Sequence, residues 1–220
     1  MKERIAHICS LLPRATVYAD VGCDHGFMAE FALRHGLCER VYITDIHAGS
    51  LGKAERLLGK YIEEGRCMPV LCNGLAGVPE RCDFVLIAGM GGEEIVKILQ
   101  DSYMPARFLL QPMKNSEKLR RYLVENGAKL ERDYTFSEGE SPRRYYDLIL
   151  GSAAGGDVYT EKEFRFGRDN IGGSPYPFLF QMREELEKTE ARLKGAAGNG
   201  KLAARREELK EIIHEVEERL

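Results

Sequence analysis

Three short polar stretches carry residues whose types and spacing permit chemistry. Ala19 to Phe27 reads Ala-Asp-Val-Gly-Cys-Asp-His-Gly-Phe, Asp45 ends an apolar run, and Gly89-Met90-Gly91-Gly92 ends another. In the first, Gly22 and Gly26 suit a sharp turn from a buried strand into a helix, where a ligand approaches backbone N–H groups. A dinucleotide fingerprint needs a glycine where Asp24 stands, and a carboxylate there repels a pyrophosphate. Asp24 beside an amino group would orient it, stabilise positive charge developing on it and accept its proton. The alternatives for Asp24 are a cap on the following helix or a left-handed backbone position that aspartate tolerates. Asp45 has the chemistry to accept hydrogen bonds from two vicinal hydroxyls, or it simply ends a strand. Gly89 to Gly92, without bulky side chains, lets a planar group come close, and is equally compatible with a tight strand-to-helix turn.

These stretches need a frame that brings them to one edge. Met1 to Leu12 reads as an amphipathic helix stopped by Pro13 and covering one edge of a sheet. Strands are expected at Thr16 to Val21, Val41 to Ile46, Met68 to Cys72, Phe84 to Ala88 and Phe108 to Leu110. Helices are expected at Gly26 to His35, at Leu51 to Glu64 capped by Ser50, from Gly89 to about Gln100, and from Asn115 or Ser116 to about Asn126. Lys129 to Phe136 and Arg144 to Leu150 follow one another as strands with no helix between them, which predicts an antiparallel hairpin. The fold class is therefore α/β, a doubly wound parallel sheet with a terminal antiparallel hairpin, and the crevice should lie outside the carboxyl ends of strands one and four. Gly151 to Gly156 reads as a linker or loop. From Ser174 two charged helices flank Gly198-Asn199-Gly200. Their seam is Leu179, Met182, Leu186, Thr189, Leu193 and Ala196 against Leu202, Arg206, Leu209, Ile213, Val216 and Leu220. Two units follow, residues 1–153 and a helical, coiled-coil-like hairpin at 154–220.

The bulk composition narrows the class without naming a partner. The chain has 220 residues and a formal net charge of -3, so no overall basic character marks it as a nucleic-acid binder. The 6 cysteines are scattered without metal-ligand spacing, which predicts reduced thiols and no metal site. No run reaches membrane-spanning length and the N-terminus is not a signal peptide, so the expectation is a cytoplasmic protein with no membrane partner.

The loop fits Asp-x-Gly-x-x-x-Gly, the pattern with which class I methyltransferases hold the amino acid end of S-adenosylmethionine. Several segments together resemble the bacterial tRNA adenine N1-methyltransferases of the TrmK family, which act on the adenine at position twenty-two. Ala19 to Phe27 resembles that family's Asp-Ile-Gly-Ser-Asp-His-Ala-Tyr loop, Thr44-Asp45-Ile46 its ribose-binding strand end, Ile87 to Gly92 its fourth-strand signature and Leu110-Gln111-Pro112 its fifth. The sequence departs from the pattern at Gly26-Phe27, at Asn73-Gly74, where Asp-Gly is usual, and at Met113, where Asn is usual.

The resemblance implies S-adenosylmethionine as cofactor and tRNA as partner. On it, Asp20, Gly22, Cys23, Gly26, Asp45, Ile46, Asn73, Gly74, Ala88, Gly89 and Met90 bind cofactor. Asp24 and His25 are the catalytic candidates. Phe27, Gly91, Gln111, Pro112, Arg143 and Arg144 face the substrate. His25 is otherwise a hydrogen-bonded structural residue, and Phe27 the first core residue of its helix. The C-terminal hairpin grips RNA on a monomer, or it makes a dimer. The competing readings are a methyltransferase with another substrate and a non-catalytic binding protein on the same scaffold.

Overall fold

A computed structural model describes residues 2–173, 176–195 and 198–219. Helix α1 (Glu3–Ser10) precedes an alternation of strand and helix: β1 (Val17–Val21), α2 (Phe27–Arg34), β2 (Arg40–Asp45), α3 (Ala48–Glu63), β3 (Cys67–Leu71), β4 (Phe84–Met90), α4 (Gly92–Gln100), β5 (Arg107–Pro112) and α5 (Ser116–Glu125). A hairpin of β6 (Lys129–Glu138) and β7 (Arg144–Ser152) follows, then α6 (Glu161–Phe166), α7 (Arg168–Gly172), α8 (Tyr176–Gly195) and α9 (Gly200–Glu217).

The strands form one sheet in the order β3-β2-β1-β4-β5-β7-β6. The first five are parallel, and β7 runs antiparallel to both β5 and β6. β1 lies between β2 and β4, so the strand order reverses there, which is the place where open α/β sheets bind ligands. The residues of β1 are buried on both faces, which is why its sequence is a nearly continuous apolar run. On one face α1, α2 and α3 pack Ile8, Leu33 and Leu58 onto Tyr18, Ile43 and Leu86. On the other, α4 and α5 pack Ile95, Leu99, Leu119 and Leu123 onto Ala19, Val85, Ile87 and Leu110.

Several boundaries differ from expectation for local reasons. Ser50 does not cap α3: Asp45 Oδ1 accepts the His47 N–H at 2.8 Å, turning the chain early, and the helix begins at Ala48 with His47 at its N-cap. β4 continues through Gly89 to Met90, with an irregularity between Ala88 and Met90, so α4 starts only at Gly92. α5 has Asn115 at its N-cap, in a left-handed conformation and without a side-chain cap bond.

Gly151 and Ser152 end β7, the rest of Gly151 to Gly156 is a loop, and the residues after it hold α6 and α7, whose side chains with that of Asp157 finish the sheet. β6 is the edge strand, and Asp157, Asp169 and Asn170 accept its N–H groups at Leu130, Asp133 and Thr135, at 3.1, 3.1 and 2.8 Å. A third core joins Phe166 and Ile171 to Phe178, Leu179 and Met182 of α8 and Leu209, Ile212, Ile213 and Val216 of α9. Of the expected seam, Leu179 and Met182 of α8 and Leu209, Ile213 and Val216 of α9 are in this core, with Leu186 packed against it. Ser174, Ala196 and Leu220 lie outside the described residues. No described helix is long and apolar enough to cross a membrane.

Candidate active site

The chain leaves β1 through three left-handed positions, Gly22 (φ 70°), Asp24 (φ 46°) and Gly26 (φ 73°). A Cβ on Gly22 would lie 2.1 Å from Met90 Cε, so the Met90 side chain lies directly over the turn and glycine is needed on two counts. The expectation that loop N–H groups receive the ligand is corrected in part. Gly22 and Cys23 both donate to the Thr44 carbonyl, at 2.8 and 3.0 Å, and Gly26 donates to the Cys23 carbonyl at 2.7 Å. These donors tie the loop to β2 and to itself.

Asp24 makes no cap bond to α2, whose N-cap is Gly26, so capping is excluded and the left-handed reading holds. Its carboxylate is exposed, 3.5 Å from Lys53 Nζ and 3.7 Å from His25 Nε2. His25 is half exposed and lies stacked against Phe27, ring centroids 5.4 Å apart and planes at 21°. Phe27 is 43% exposed, so it is not a core residue of its helix but an uncovered aromatic face beside a carboxylate. These three residues, with Gly22, Cys23 and Ala88, line a cavity of about 670 Å³ closed on its far side by Ile5 and Ile8 of α1.

Asp20 does not reach that cavity. It is 2% exposed with neither carboxylate oxygen hydrogen-bonded, and burial pushes its pKa up to about 7 against the pull of the Ala29 backbone N–H. It therefore stands behind the loop as a buried acid. Burial and the nearby Asp20 also push the Cys9 thiol up, to about 12. All 6 cysteines are free thiols, and among the described residues no group of three or more His, Cys, Asp or Glu is placed to hold a metal.

Asp45 and Ile46 sit at the carboxyl end of β2, joined to the loop through the Thr44 carbonyl, with Ile46 exposed. The next strand end brings Asn73 and Gly74 beside them. Gly74 is a turn and a packing position: φ is 60°, its carbonyl accepts from Thr44 Oγ1 at 2.8 Å, and a Cβ there would lie 2.6 Å from Ile98 Cγ2. Asn73 stays exposed. None of the four lines the 670 Å³ cavity, which meets only the other side of the loop.

The substrate-facing set divides. Gln111 is fully buried, its Oε1 accepting from Arg4 Nη1 at 2.8 Å and its Nε2 donating to the Pro112 carbonyl at 3.0 Å, so the amide is committed to the protein instead of lining a base pocket. Pro112 belongs to a second cavity of about 480 Å³ between the end of β5, β7 and α8. Gly91 lies against Lys114 between the two cavities. Arg143 stacks over Phe180 of α8 at 4.8 Å, and Arg144 is exposed at the start of β7. Because β7 is reversed, both arginines stand at the edge where β1 and β4 end.

One residue of the cavity wall was not singled out in the sequence. Arg4, in the first turn of α1, reaches Gln111, approaches Gly89 and lies 5.5 Å from the Tyr146 ring. Its only signal was a cation in an amphipathic helix, the ordinary mark of a solvated face.

A switch-point cavity on this sheet order, with the last-but-one position filled by a reversed strand, defines the class I methyltransferase fold. The family profile described as a methyltransferase domain matches residues 1–149, and the chain belongs to that family. A Mycoplasma pneumoniae protein named provisionally as a tRNA methyltransferase is 32% identical over 129 residues, which are 57% of this chain and 61% of that protein. The chain thus spans less than two thirds of that relative. The tRNA (adenine(22)-N(1))-methyltransferase of Bacillus subtilis is 23% identical over 169 residues, 72% of this chain and 67% of the relative. Among solved structures, TrmK of M. capricolum in complex with S-adenosyl-homocysteine is similar in fold, with a TM-score of 0.83 at 20% identity, covering 99% of this chain and 96% of that one.

Proposed function

We propose that this chain transfers the methyl group of S-adenosylmethionine to N1 of an adenine in tRNA. The observation that carries the reading is the grouping of Asp24, His25 and the open face of Phe27 around one cavity at the β1–β4 switch point. The donor set suits the cofactor: Asp45 would accept from the ribose hydroxyls, Asn73 and Gly74 would meet the cofactor's adenine, and Gly22, Cys23, Gly26, Ala88, Gly89 and Met90 would line the path between. When bound, S-adenosylmethionine supplies a methyl group on a positively charged sulfur. The adenine N1 lone pair would take that methyl group, the C–S bonding electrons remaining with sulfur, and the purine would carry the positive charge. Asp24, beside the exocyclic amino group, stabilises that charge and accepts the amino proton. Phe27 with His25 gives the unstacked base a flat surface.

Arg143 and Arg144 are phosphate contacts in this reading, and the α8–α9 hairpin grips folded RNA by shape on a monomer working in the cytoplasm. The last helices have a core of their own, which supports a second unit, while Tyr159 and Phe164 of the proposed 154–220 unit pack in the core of the sheet. Labelled methyl transfer to total tRNA, followed by mapping of the modified base through a reverse-transcription stop, tests the reading. Incorporation at an adenine with a stop at that base is expected, and cofactor binding without incorporation would overturn it.

A further inference from the structure

The cavity at the β1 loop contains more positive charge than its own acids balance. Glu30 is matched by Arg34 at 3.6 Å, and Asp24 by Lys53 and His25. Among the described residues, Arg4 has no such partner, and its guanidinium is held by neutral groups: the Gln111 amide oxygen, the Met113 sulfur at 3.8 Å and the face of Tyr146. The nearest acid, Glu138, is engaged by the Arg4 backbone N–H at 3.2 Å and the Tyr146 hydroxyl at 3.2 Å. Among the described residues, Arg4 Nη2 and Nε donate no hydrogen bond. An arginine whose position is fixed but whose charge is unpaired is preorganised for an anion.

Its position says which anion. A Cβ on Gly89 would lie 3.4 Å from Arg4 Nη1, so the guanidinium reaches the end of β4, across the cavity from Gly22. The amides of Gly22, Cys23 and Gly26 are already bonded to Thr44 and Cys23 carbonyls, so these three are not free to meet a negative group. We propose that Arg4 is the anchor for the carboxylate at the amino acid end of the cofactor, so that α1 is a wall of the cofactor site and not only a cover for the sheet. This rests on reading the cavity as a cofactor site.

The test is a cycle of two ligands and two proteins. S-adenosylhomocysteine and its decarboxylated analogue, which keeps the amine and lacks the carboxylate, are titrated calorimetrically into the full chain and into Arg4→Met. The wild-type chain should bind S-adenosylhomocysteine about 10-fold to 100-fold more tightly than the analogue, and Arg4→Met should bind the two alike. Arg4→Lys, which keeps charge but loses the fork, should retain part of the preference. A wild-type chain that does not discriminate, or an Arg4→Met chain that still does, would overturn the anchor. The wild-type comparison holds even should a variant fail to fold. If the wild-type chain binds neither ligand, the cofactor reading falls and the anchor with it.

Discussion

Asp24 is held in a left-handed turn with its carboxylate exposed, an arrangement that serves neither capping nor packing. Asp24→Ala should therefore leave affinity for S-adenosylhomocysteine within about twofold while lowering single-turnover methylation by about 10² to 10⁴. Unchanged turnover would remove it from the chemistry. Asp20 makes the opposite kind of prediction. Its folded pKa of about 7 lies above the ordinary 3.8, so the folded chain keeps a proton that the unfolded chain has released. Stability from this group is complete below the unfolded value and is lost as pH rises to about 7, in total about 4 kcal/mol. Asp20→Asn, which imitates the protonated acid, should raise the apo protein's thermal midpoint at pH 8 and do so much less at pH 5. A difference independent of pH would contradict this assignment. The chemistry of Asp24 and Asp45 was legible in the sequence because it follows from residue type at a strand end. The burial of Gln111 was not, since its amide is held by Arg4, distant in sequence, and the exposure of Phe27 was not, since a hydrophobic residue at a helix start reads as core.

The elements followed from simpler signals. Strands buried on both faces appear as apolar runs, so β1, β2 and β4 were readable, and two consecutive strands without a helix announced the β6–β7 hairpin. α6 and α7 were not readable, being too short to show a helical period. They are fixed instead by a buried polar cluster. Arg120 of α5 donates from Nε to both Asp133 oxygens at 2.8 and 2.9 Å and from Nη1 to the Phe164 carbonyl at 3.3 Å. Asp133 also accepts from the Tyr159 hydroxyl at 3.2 Å and the Arg168 N–H at 3.3 Å. Burial pushes the Asp133 carboxyl upward in spite of Arg120, a sign of how little solvation remains to it. Arg120→Met should cost about 3 to 5 kcal/mol in denaturant unfolding by leaving that acid unpaired, and adding Asp133→Leu should restore a good part. Failure of the second change to restore anything would mean that Arg120 acts through packing alone.

At the scale of the whole molecule, the segment between the sheet and the last helices is joined to both. Asp157, Asp169 and Asn170 accept the outward N–H groups of β6, and Phe166 and Ile171 enter the α8–α9 core. Glycine, serine and alanine crowd residues 151–156, which read as a linker or loop, and nothing local reveals that the acids after them will meet a strand. The consequence concerns association between copies. A strand with the outward amides of Leu130, Asp133 and Thr135 taken offers a poorer template to a second chain, so residues 157–170 guard most of an otherwise sticky margin. A chain ended after residue 153 should form β-rich aggregates through β6, visible as light scattering that grows with concentration, whereas one ended after residue 173 should keep that margin closed and scatter far less. The same guard covers part of a border strand ten residues long.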